Sequence, residues 1–223
     1  MFKNKLSSVI NTIGIIGLIQ LIGFFIISIY CIFSFQLYAF FYGTYKEYNE
    51  NGKLIGERSY KFFKKHGIEK RWYENGKLQD QESYISGHRH GIRKSWYISG
   101  QLENEIQFEH GQYNGIFRTW YKNGQPQTRA NFKKGKRDGM TENWYENGKP
   151  SSLYYSKADK MHGNYKYWHK NGKIREEGIY IDGKKHGIVK AWNTSGQLMS
   201  ERKYNTGIVL EEKNWNLKAK EVK

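Results

Sequence analysis

The sequence predicts an all-β fold: a single-layer antiparallel meander of seven 24-residue β-hairpin repeats, preceded by one N-terminal transmembrane helix. Three observations support this prediction. Glycines recur every 24 residues, aromatic residues recur in register with them, and an apolar segment without charges precedes both. A fixed period of this length is the sequence signature of a repeat architecture. The chain accordingly divides into a short basic N-terminus (1–5), a transmembrane anchor (6–42), seven repeats (43–207), and a capping strand with a tail (208–223).

The transmembrane anchor is predicted from a segment that contains no Asp, Glu, Lys, Arg or His between Leu6 and Tyr45. Within it, residues 13–35 are almost wholly apolar, and a helix needs about 20 such residues to cross a hydrocarbon core. A cleaved signal peptide would have an apolar region of only about 7–15 residues. No small-x-small cleavage site surrounds Ala39. We therefore expect an uncleaved single-pass anchor.

The charges that flank the anchor indicate its orientation. Lys3 and Lys5 precede it, whereas lysines and glutamates are mixed on its far side. The positive-inside rule counts Lys and Arg in short flanks and gives little weight to carboxylates. The sequence therefore favours an N-terminus in the cytoplasm and repeats outside it. The single cysteine, Cys31, lies inside the anchor, so no intramolecular disulfide can form.

Two glycines and one aromatic residue mark each repeat. The first glycine column comprises Gly43, Gly67, Gly91, Gly115, Gly139, Gly163 and Gly187. The second comprises Gly52, Gly76, Gly100, Gly124, Gly148, Gly172 and Gly196. The aromatic column begins at Tyr48 and continues with Trp72, Trp96, Trp120, Trp144, Trp168 and Trp192. Because a single hairpin is too small to bury its apolar face, neighbouring repeats must stack, and we expect the Trp and Tyr columns to form the packing stripe.

The second glycine column predicts the hairpin turns. Asn precedes it in five repeats and Ser in the other two. Asn-Gly between strand-like segments is a strong hairpin signal, because a type I′ turn requires positive φ at both central residues. We therefore predict type I′ turns at these dipeptides, and a second turn, such as residues 87–91, that leads into the next hairpin. About 14 strands spaced by roughly 4.8 Å would form a ribbon on the order of 70 Å long.

Two motifs resemble a known repeat family. Residues 182–187 read Asp-Gly-Lys-Lys-His-Gly, which resembles the core of the MORN repeat. The Trp-Tyr-x-Asn-Gly-x-Leu half of a unit, as in residues 72–78, is similar to the bacterial variant MORN repeat, often described as a YwqK-type antitoxin. The ordinary MORN unit carries a second glycine two residues after His-Gly, but this chain has Glu69, Arg93, Phe117, Thr141, Tyr165 or Val189 there.

This departure favours the variant class. The resemblance implies a bacterial β-repeat scaffold or tether, and it implies a toxin as one candidate partner. The predicted anchor adds the expectation that the protein lies in the bacterial inner membrane.

Histidine and glutamate columns could indicate a metal or catalytic site. The histidine column comprises His66, His90, His162 and His186. Equivalent residues of successive hairpins lie two strands apart, about 9–10 Å, which is too far for imidazole nitrogens to share one metal ion at about 2.1 Å. The glutamate column comprises Glu57, Glu105, Glu177 and Glu201. A catalytic carboxylate pair would occupy one pocket, so we expect structural histidines, cross-strand ion pairs of the glutamates, no catalytic residues, no cofactor and no metal.

A basic column provides the candidate binding strip in a chain of net charge +16. The strip comprises Lys70, Lys94, Arg118, Lys166 and Lys190, with Glu142 as the exception. One interpretation is solvated lysines that keep an exposed sheet soluble. The other is a strip that binds an anionic polymer or phospholipid headgroups. No recognised nucleic-acid-binding motif occurs, which disfavours nucleic acid as a partner.

The leading hypothesis is a non-enzymatic, membrane-anchored scaffold that binds an unknown protein partner. The alternative is electrostatic binding through the basic strip.

Overall fold

The structure is a computed structural model that describes residues 42–215. The regular elements in this part are strands, in the order β1 (Tyr42–Tyr48), β2 (Leu54–Lys61), β3 (Lys64–Lys65), β4 (Gly67–Trp72), β5 (Leu78–Ile85), β6 (His88–Arg89), β7 (Gly91–Trp96), β8 (Leu102–Glu109), β9 (Gln112–Trp120), β10 (Pro126–Lys133), β11 (Lys136–Trp144), β12 (Pro150–Lys157), β13 (Lys160–Trp168), β14 (Ile174–Ile181), β15 (Lys184–Trp192), β16 (Leu198–Asn205) and β17 (Ile208–Asn214). The predicted anchor lies outside the described residues. Within 42–215, no helix has the length and apolar character needed to cross a membrane.

The strands form one antiparallel sheet in which each strand pairs with its neighbours along the chain. Two pairs of short segments, β3 with β4 and β6 with β7, are single strands interrupted at His66 and His90. In the described range β1 pairs only with β2, and β17 only with β16. The sheet is therefore open at both ends, and the predicted single-layer antiparallel meander is confirmed.

The Asn-Gly turns differ from the prediction. The glycines of the second column have positive φ, but the Asn or Ser residues before them do not. In the turn after β4, the N–H of Gly76 donates to the carbonyl oxygen of Tyr73 (2.8 Å), and the N–H of Tyr73 donates to that of Lys77 (2.9 Å). This is a three-residue loop, a type I turn closed by a glycine in the left-handed region. The prediction of type I′ turns at Asn-Gly is therefore wrong.

The two-residue type I′ turns occur instead in the linking turns, at the opposite ends of the strands. After β5, both Ser86 (φ 51°) and Gly87 (φ 88°) have positive φ, and Ile85 pairs with His88 across them. The backbone twist of a type I′ turn matches the right-handed twist of the strands that it joins. Each repeat thus alternates two kinds of turn, one at each long edge of the ribbon.

The two faces of the sheet differ in burial. The inner face carries the most buried side chains, which include Ile106, Phe108, Ala130, Tyr165 and Val189. Side chains alternate along a strand, so the basic column and the Trp column lie together on the outer face, where the Trp side chains are only half-buried. The core is therefore built from inner-face columns whose residues vary between repeats. The prediction that the Trp column forms the packing stripe is wrong.

The residue after each Trp from Trp72 to Trp168 hydrogen-bonds one repeat to the next through the backbone carbonyl of the following Trp. The hydroxyl of Tyr73 donates to the carbonyl oxygen of Trp96 (2.7 Å). The same bond recurs at Tyr97–Trp120, Tyr121–Trp144 and Tyr145–Trp168, and His169 takes the tyrosine's place at Trp192. The turn asparagines form a second ladder, in which Nδ2 of Asn75 donates to the carbonyl oxygen of Ile98 (3.1 Å). Neighbouring repeats are thus joined at the hairpin-turn edge as well as through their strands.

The turn geometry predicts opposite effects for two substitutions. Gly124 has φ +84°, and only Gln101 lies within 4 Å of an added Cβ. Gly124→Val should therefore destabilise the protein through backbone strain alone, by about 1–3 kcal/mol. Lys134 is a non-glycine residue at φ 51° in a linking turn, so Lys134→Gly should leave the stability unchanged or raise it. Thermal unfolding of the full chain followed by Trp fluorescence measures both, and equal losses for the two variants would contradict the turn assignment.

Candidate binding surfaces

The predicted basic strip alternates with the glutamate column in one charge row across the outer face. The register places Glu105 between Lys94 and Arg118. Its carboxylate lies 3.3 Å from Nζ of Lys94 and 2.6 Å from Nη1 of Arg118. The same contact recurs farther along the row at Lys166–Glu177 (3.4 Å) and Lys190–Glu201 (3.6 Å). Three of the four glutamates of the column thus make the cross-strand ion pairs that the sequence predicts, whereas Glu57 lies opposite Lys46 and Lys70 in the register without an ion pair in the described part of the chain.

The one repeat that departs from the basic column keeps the pairing with the charges exchanged. Glu142 occupies the basic column there, and its register partner Arg129 occupies the glutamate column. The guanidinium of Arg129 lies 3.5 Å from the carboxylate of Glu142. The exchange preserves the pair, but it also places Arg129 opposite Arg118 on the preceding strand. Exposed pairs of this kind each contribute only about 0–1 kcal/mol to stability.

A second set of cations, at the linking-turn edge, is not paired with carboxylates. The linking-turn edge carries eight exposed lysines that make no ion pair within the described part of the chain. We call them the basic edge: Lys61, Lys64, Lys133, Lys134, Lys136, Lys157, Lys160 and Lys184. Their positions follow the 24-residue period, so they recur along one long side of the ribbon. The sequence shows lysines near the linking turns, but only the strand register shows that they lack acidic partners.

Three linking turns place lysine directly opposite lysine. The register pairs are Lys61–Lys64, Lys133–Lys136 and Lys157–Lys160. Like charges directly opposite each other on neighbouring strands destabilise a sheet. The basic edge is thus an arrangement that costs stability. In the charge row, by contrast, each cation faces a carboxylate on at least one side.

The inner face of the first three repeats contains a buried ion-pair network. The carboxylate of Glu69, whose side chain is 3% exposed, accepts hydrogen bonds from Lys65 (2.5 Å) and Arg71 (3.1 Å). Glu82 lies directly opposite in the sheet and pairs with Arg89 (2.6 Å). Burial opposes ionisation of Glu69, but its two hydrogen bonds outweigh burial and hold the pKa of the carboxyl below the ordinary value. The charges of this network are satisfied within the chain.

A polar cleft of about 310 Å³ adjoins this network. Asp80 and Arg93 line it and form a two-point contact, from Nε (2.9 Å) and Nη2 (2.6 Å) of the arginine to one carboxylate oxygen. Burial raises the pKa of Asp80, and the hydrogen bond from Arg93 only partly offsets this effect. Because its acids and bases neutralise each other, the cleft is better suited to holding the sheet together than to binding a charged ligand.

The inner face changes character toward the C-terminal end. In the middle repeats the rings of Phe108, Tyr113 and Phe132 pack with centroids 5.0–5.3 Å apart, within the usual range for aromatic pairs. Farther on, the hydroxyl of Tyr165 donates to Glu176 (2.6 Å), which also accepts from Lys185 (2.7 Å). Burial and the contact with Glu176 raise the pKa of Tyr165 far above its ordinary value, so its hydroxyl remains a donor.

The histidine column lies where each linking turn leads into the next hairpin. Nδ1 of His66 lies 3.5 Å from the backbone nitrogen of Ser86, and Nδ1 of His162 lies at the same distance from that of Asp182. These contacts reach from one linking turn to the next. Over residues 42–215, no group of three His, Cys, Asp or Glu side chains could hold a metal ion.

Comparison with protein families gives one match. The profile of the MORN repeat variant matches residues 41–62, 65–86, 89–110, 113–134, 161–182 and 185–206, together more than half of the chain. The six matched segments keep the 24-residue spacing and omit the fifth repeat, although the structure forms the same hairpin turn there, with Gly148 donating to Tyr145 (2.9 Å). No curated protein matches the chain.

The buried network predicts a pH-dependent contribution to stability. Because the folded pKa of Glu69 lies below the ordinary value of 4.5, its carboxylate stabilises the fold above that pH, and the contribution is lost as the pH falls through the folded pKa. Glu69→Gln should therefore cost about 1–3 kcal/mol at pH 7, and the difference from the wild type should shrink below pH 4.5. Unfolding measured from pH 3 to 8 tests this.

The control is Glu177→Gln on the outer face, which should cost less than about 1 kcal/mol at every pH. A pH-independent loss for Glu69→Gln would show that its ionisation does not stabilise the fold.

Proposed function

Because the chain belongs to the MORN repeat variant family, we propose that it is a non-enzymatic scaffold that binds a protein partner along its ribbon. Repeat arrays commonly use their extended surfaces in this way. The N-terminal segment holds the ribbon at the bacterial inner membrane, with the repeats outside the cytoplasm. In the narrower form of the proposal the partner is a toxin, and the protein has an antitoxin-like or immunity-like role.

The observation that carries this proposal is a row of exposed isoleucines on the outer face. Ile68, Ile92 and Ile188 share one strand position and are each about half exposed (48%, 49% and 52%). Ile116 holds the same position in a fourth repeat but is partly covered, and Met140 and Asn164 take the place of isoleucine in the next two repeats. A single exposed apolar side chain needs no explanation, but an extended exposed apolar surface marks a site of protein interaction.

The repeat spacing suits a partner that spans several repeats. Equivalent residues lie two strands apart, about 9–10 Å, and a member of the basic column follows each isoleucine two residues later on the same face, as in Ile68 and Lys70 or Ile92 and Lys94. Each repeat thus offers one apolar and one charged contact. Contacts along one ribbon reinforce each other through effective concentration, so affinity is shared between repeats.

This proposal predicts graded loss of binding. Ile68→Asp, Ile92→Asp and Ile116→Asp should each weaken binding of the partner several-fold, and the triple variant should lose most of it, because each removes one of several similar contacts. The full chain is expressed in cells, and their membranes are washed with carbonate to test whether the protein stays attached. For each variant, the amount of partner protein cross-linked to the chain is then measured. Gln101→Asp at the hairpin-turn edge is the matched control and should bind as the wild type does.

Two outcomes would count against the proposal. Release of the protein by carbonate would contradict the membrane tether. Complete loss of binding from one substitution, with no effect of the other two, would indicate a single localised site instead of a repeated one.

A second candidate function is electrostatic binding of an anionic polymer or of phospholipid headgroups. The uncompensated lysines of the basic edge favour it, since the sheet gives up stability to keep lysines opposite each other. Each lysine near an anionic membrane surface contributes about 1 kcal/mol to binding. The basic edge is a better site for such a ligand than the strand strip, whose cations are largely paired with carboxylates.

The two cation sets can be compared directly. Replacing Lys133, Lys136, Lys157 and Lys160 by Ala should lower the affinity for anionic phospholipid vesicles and for polyphosphate, and should flatten its salt dependence. Replacing Lys94, Arg118 and Lys166 by Ala should have a smaller effect. A larger effect of the second set would reject the basic edge as the site. No effect of either set would reject electrostatic binding and leave the protein-partner proposal.

A further inference from the structure

The C-terminal edge strand β17 is the most exposed strand of the described sheet. All seven of its residues are exposed. Ile208, Val209 and Leu210 expose 67%, 44% and 55% of their surface, and Trp215, directly after the strand, exposes 44%. An edge with apolar side chains and unpaired backbone groups is a template for pairing with another strand.

We propose that β17 is a self-association edge, at which β17 of a second copy pairs in antiparallel orientation about a two-fold axis through Glu212. The proposed pairing is isologous, because the same strand is contributed by both copies. It would join two ribbons end to end through their C-terminal strands.

The backbone of β17 has the right direction for this axis. The N–H of Trp215 donates to the carbonyl oxygen of Met199 (2.9 Å), so Trp215 directs its backbone groups toward β16. Residues opposite each other alternate between bonded and non-bonded pairs in an antiparallel ladder. Glu212 and Asn214 therefore direct their N–H and C=O groups to the open side, and a two-fold axis at Glu212 makes a reciprocally hydrogen-bonded pair.

The side chains of β17 are complementary in this register. Glu211 of each copy lies opposite Lys213 of the other, which gives two ion pairs by symmetry. Lys213 makes no ion pair within residues 42–215, so this cation is available. The β-bulge at Leu210 ends this register, because Glu211 pairs with Lys203 whereas Val209 pairs with Tyr204.

The like charges at the axis are compensated within each copy. Glu212 accepts hydrogen bonds from Nε (3.0 Å) and Nη2 (2.9 Å) of Arg202 on β16. The adjacent registers are worse. A two-fold axis at Glu211 would place that glutamate, which already pairs with Lys203 (3.1 Å), opposite itself and would give Lys213 no acidic partner. An axis at Lys213 would place two lysines together. Charge therefore selects the axis at Glu212.

Disulfide trapping in the full chain tests this geometry. The single native cysteine is first removed (Cys31→Ser). Glu212→Cys should then form a covalent dimer on mild oxidation, because facing residues of a bonded pair lie about 5.5 Å apart, within disulfide range. Glu211→Cys and Lys213→Cys should not cross-link alone, since the same cysteine of the other copy would lie about two residues farther along the strand. A mixture of these two variants should give the heterodimer.

Charge reversal provides a second readout. Lys213→Glu and Glu211→Lys should each weaken the dimer roughly tenfold, because each turns two attractive pairs into repulsive ones. The double variant Glu211→Lys/Lys213→Glu should restore it. A failure of Glu212→Cys to cross-link, equal cross-linking of Lys213→Cys alone, or no rescue by the double variant would overturn the proposal. Cross-linking of Glu212→Cys only to a different protein would show that the edge binds a foreign strand instead.

Discussion

The hydrogen bonding of each strand to its neighbours along the chain is the constraint from which the rest of the structure follows. A single-layer sheet has no second layer to bury its apolar face, so its cohesion comes from adjacent strands and adjacent turns. The tyrosine hydroxyls that reach the next Trp carbonyl, as from Tyr73 to Trp96, extend this bonding from strands to repeats. Because every contact is with a neighbour, stability should be a sum of repeat and interface contributions.

The same constraint explains why the inner face tolerates such different chemistry. Glu69 and Glu82 are buried in the first repeats, Phe108 in the middle and Tyr165 near the end, yet the backbone pairing is the same throughout. Each buried polar group requires a partner on a neighbouring residue. A buried carboxylate has a guanidinium or ammonium partner, and a buried tyrosine hydroxyl has a carboxylate. A buried charge without such a partner would cost far more than any of these pairs contributes.

The sequence predicts the class of fold well, because a period of 24 residues with glycine at fixed places fixes the topology. It does not predict which face is buried, since strand alternation separates Glu69 from Lys70 but does not say which of the two points inward. Only the structure shows that Glu69 is buried and Lys70 is not. The turn type was missed because Asn-Gly suits both a type I′ turn and a type I turn closed by glycine, and the number of loop residues follows only from the register.

The pairing of individual charges is likewise not predictable from the sequence. The exceptions Arg129 and Glu142 are visible in the sequence as separate departures from two columns, and only the register shows that they face each other. The register likewise separates compensated cations, such as Lys94, from uncompensated ones, such as Lys136, although both are lysines on strands. The candidate surfaces are therefore set by pairing more than by composition.

The direction of the strands also has a mechanical consequence. The strands run across the ribbon, so their hydrogen bonds lie along its length, in line with any tension between its first and last strands. Such a load would peel the terminal strand from its neighbour bond by bond, and the next strand would follow. Each released repeat of 24 residues would add up to about 80 Å of extended chain. A ribbon held at one end and pulled at the other would therefore lengthen in steps, as an extensible tether whose reach grows by whole repeats.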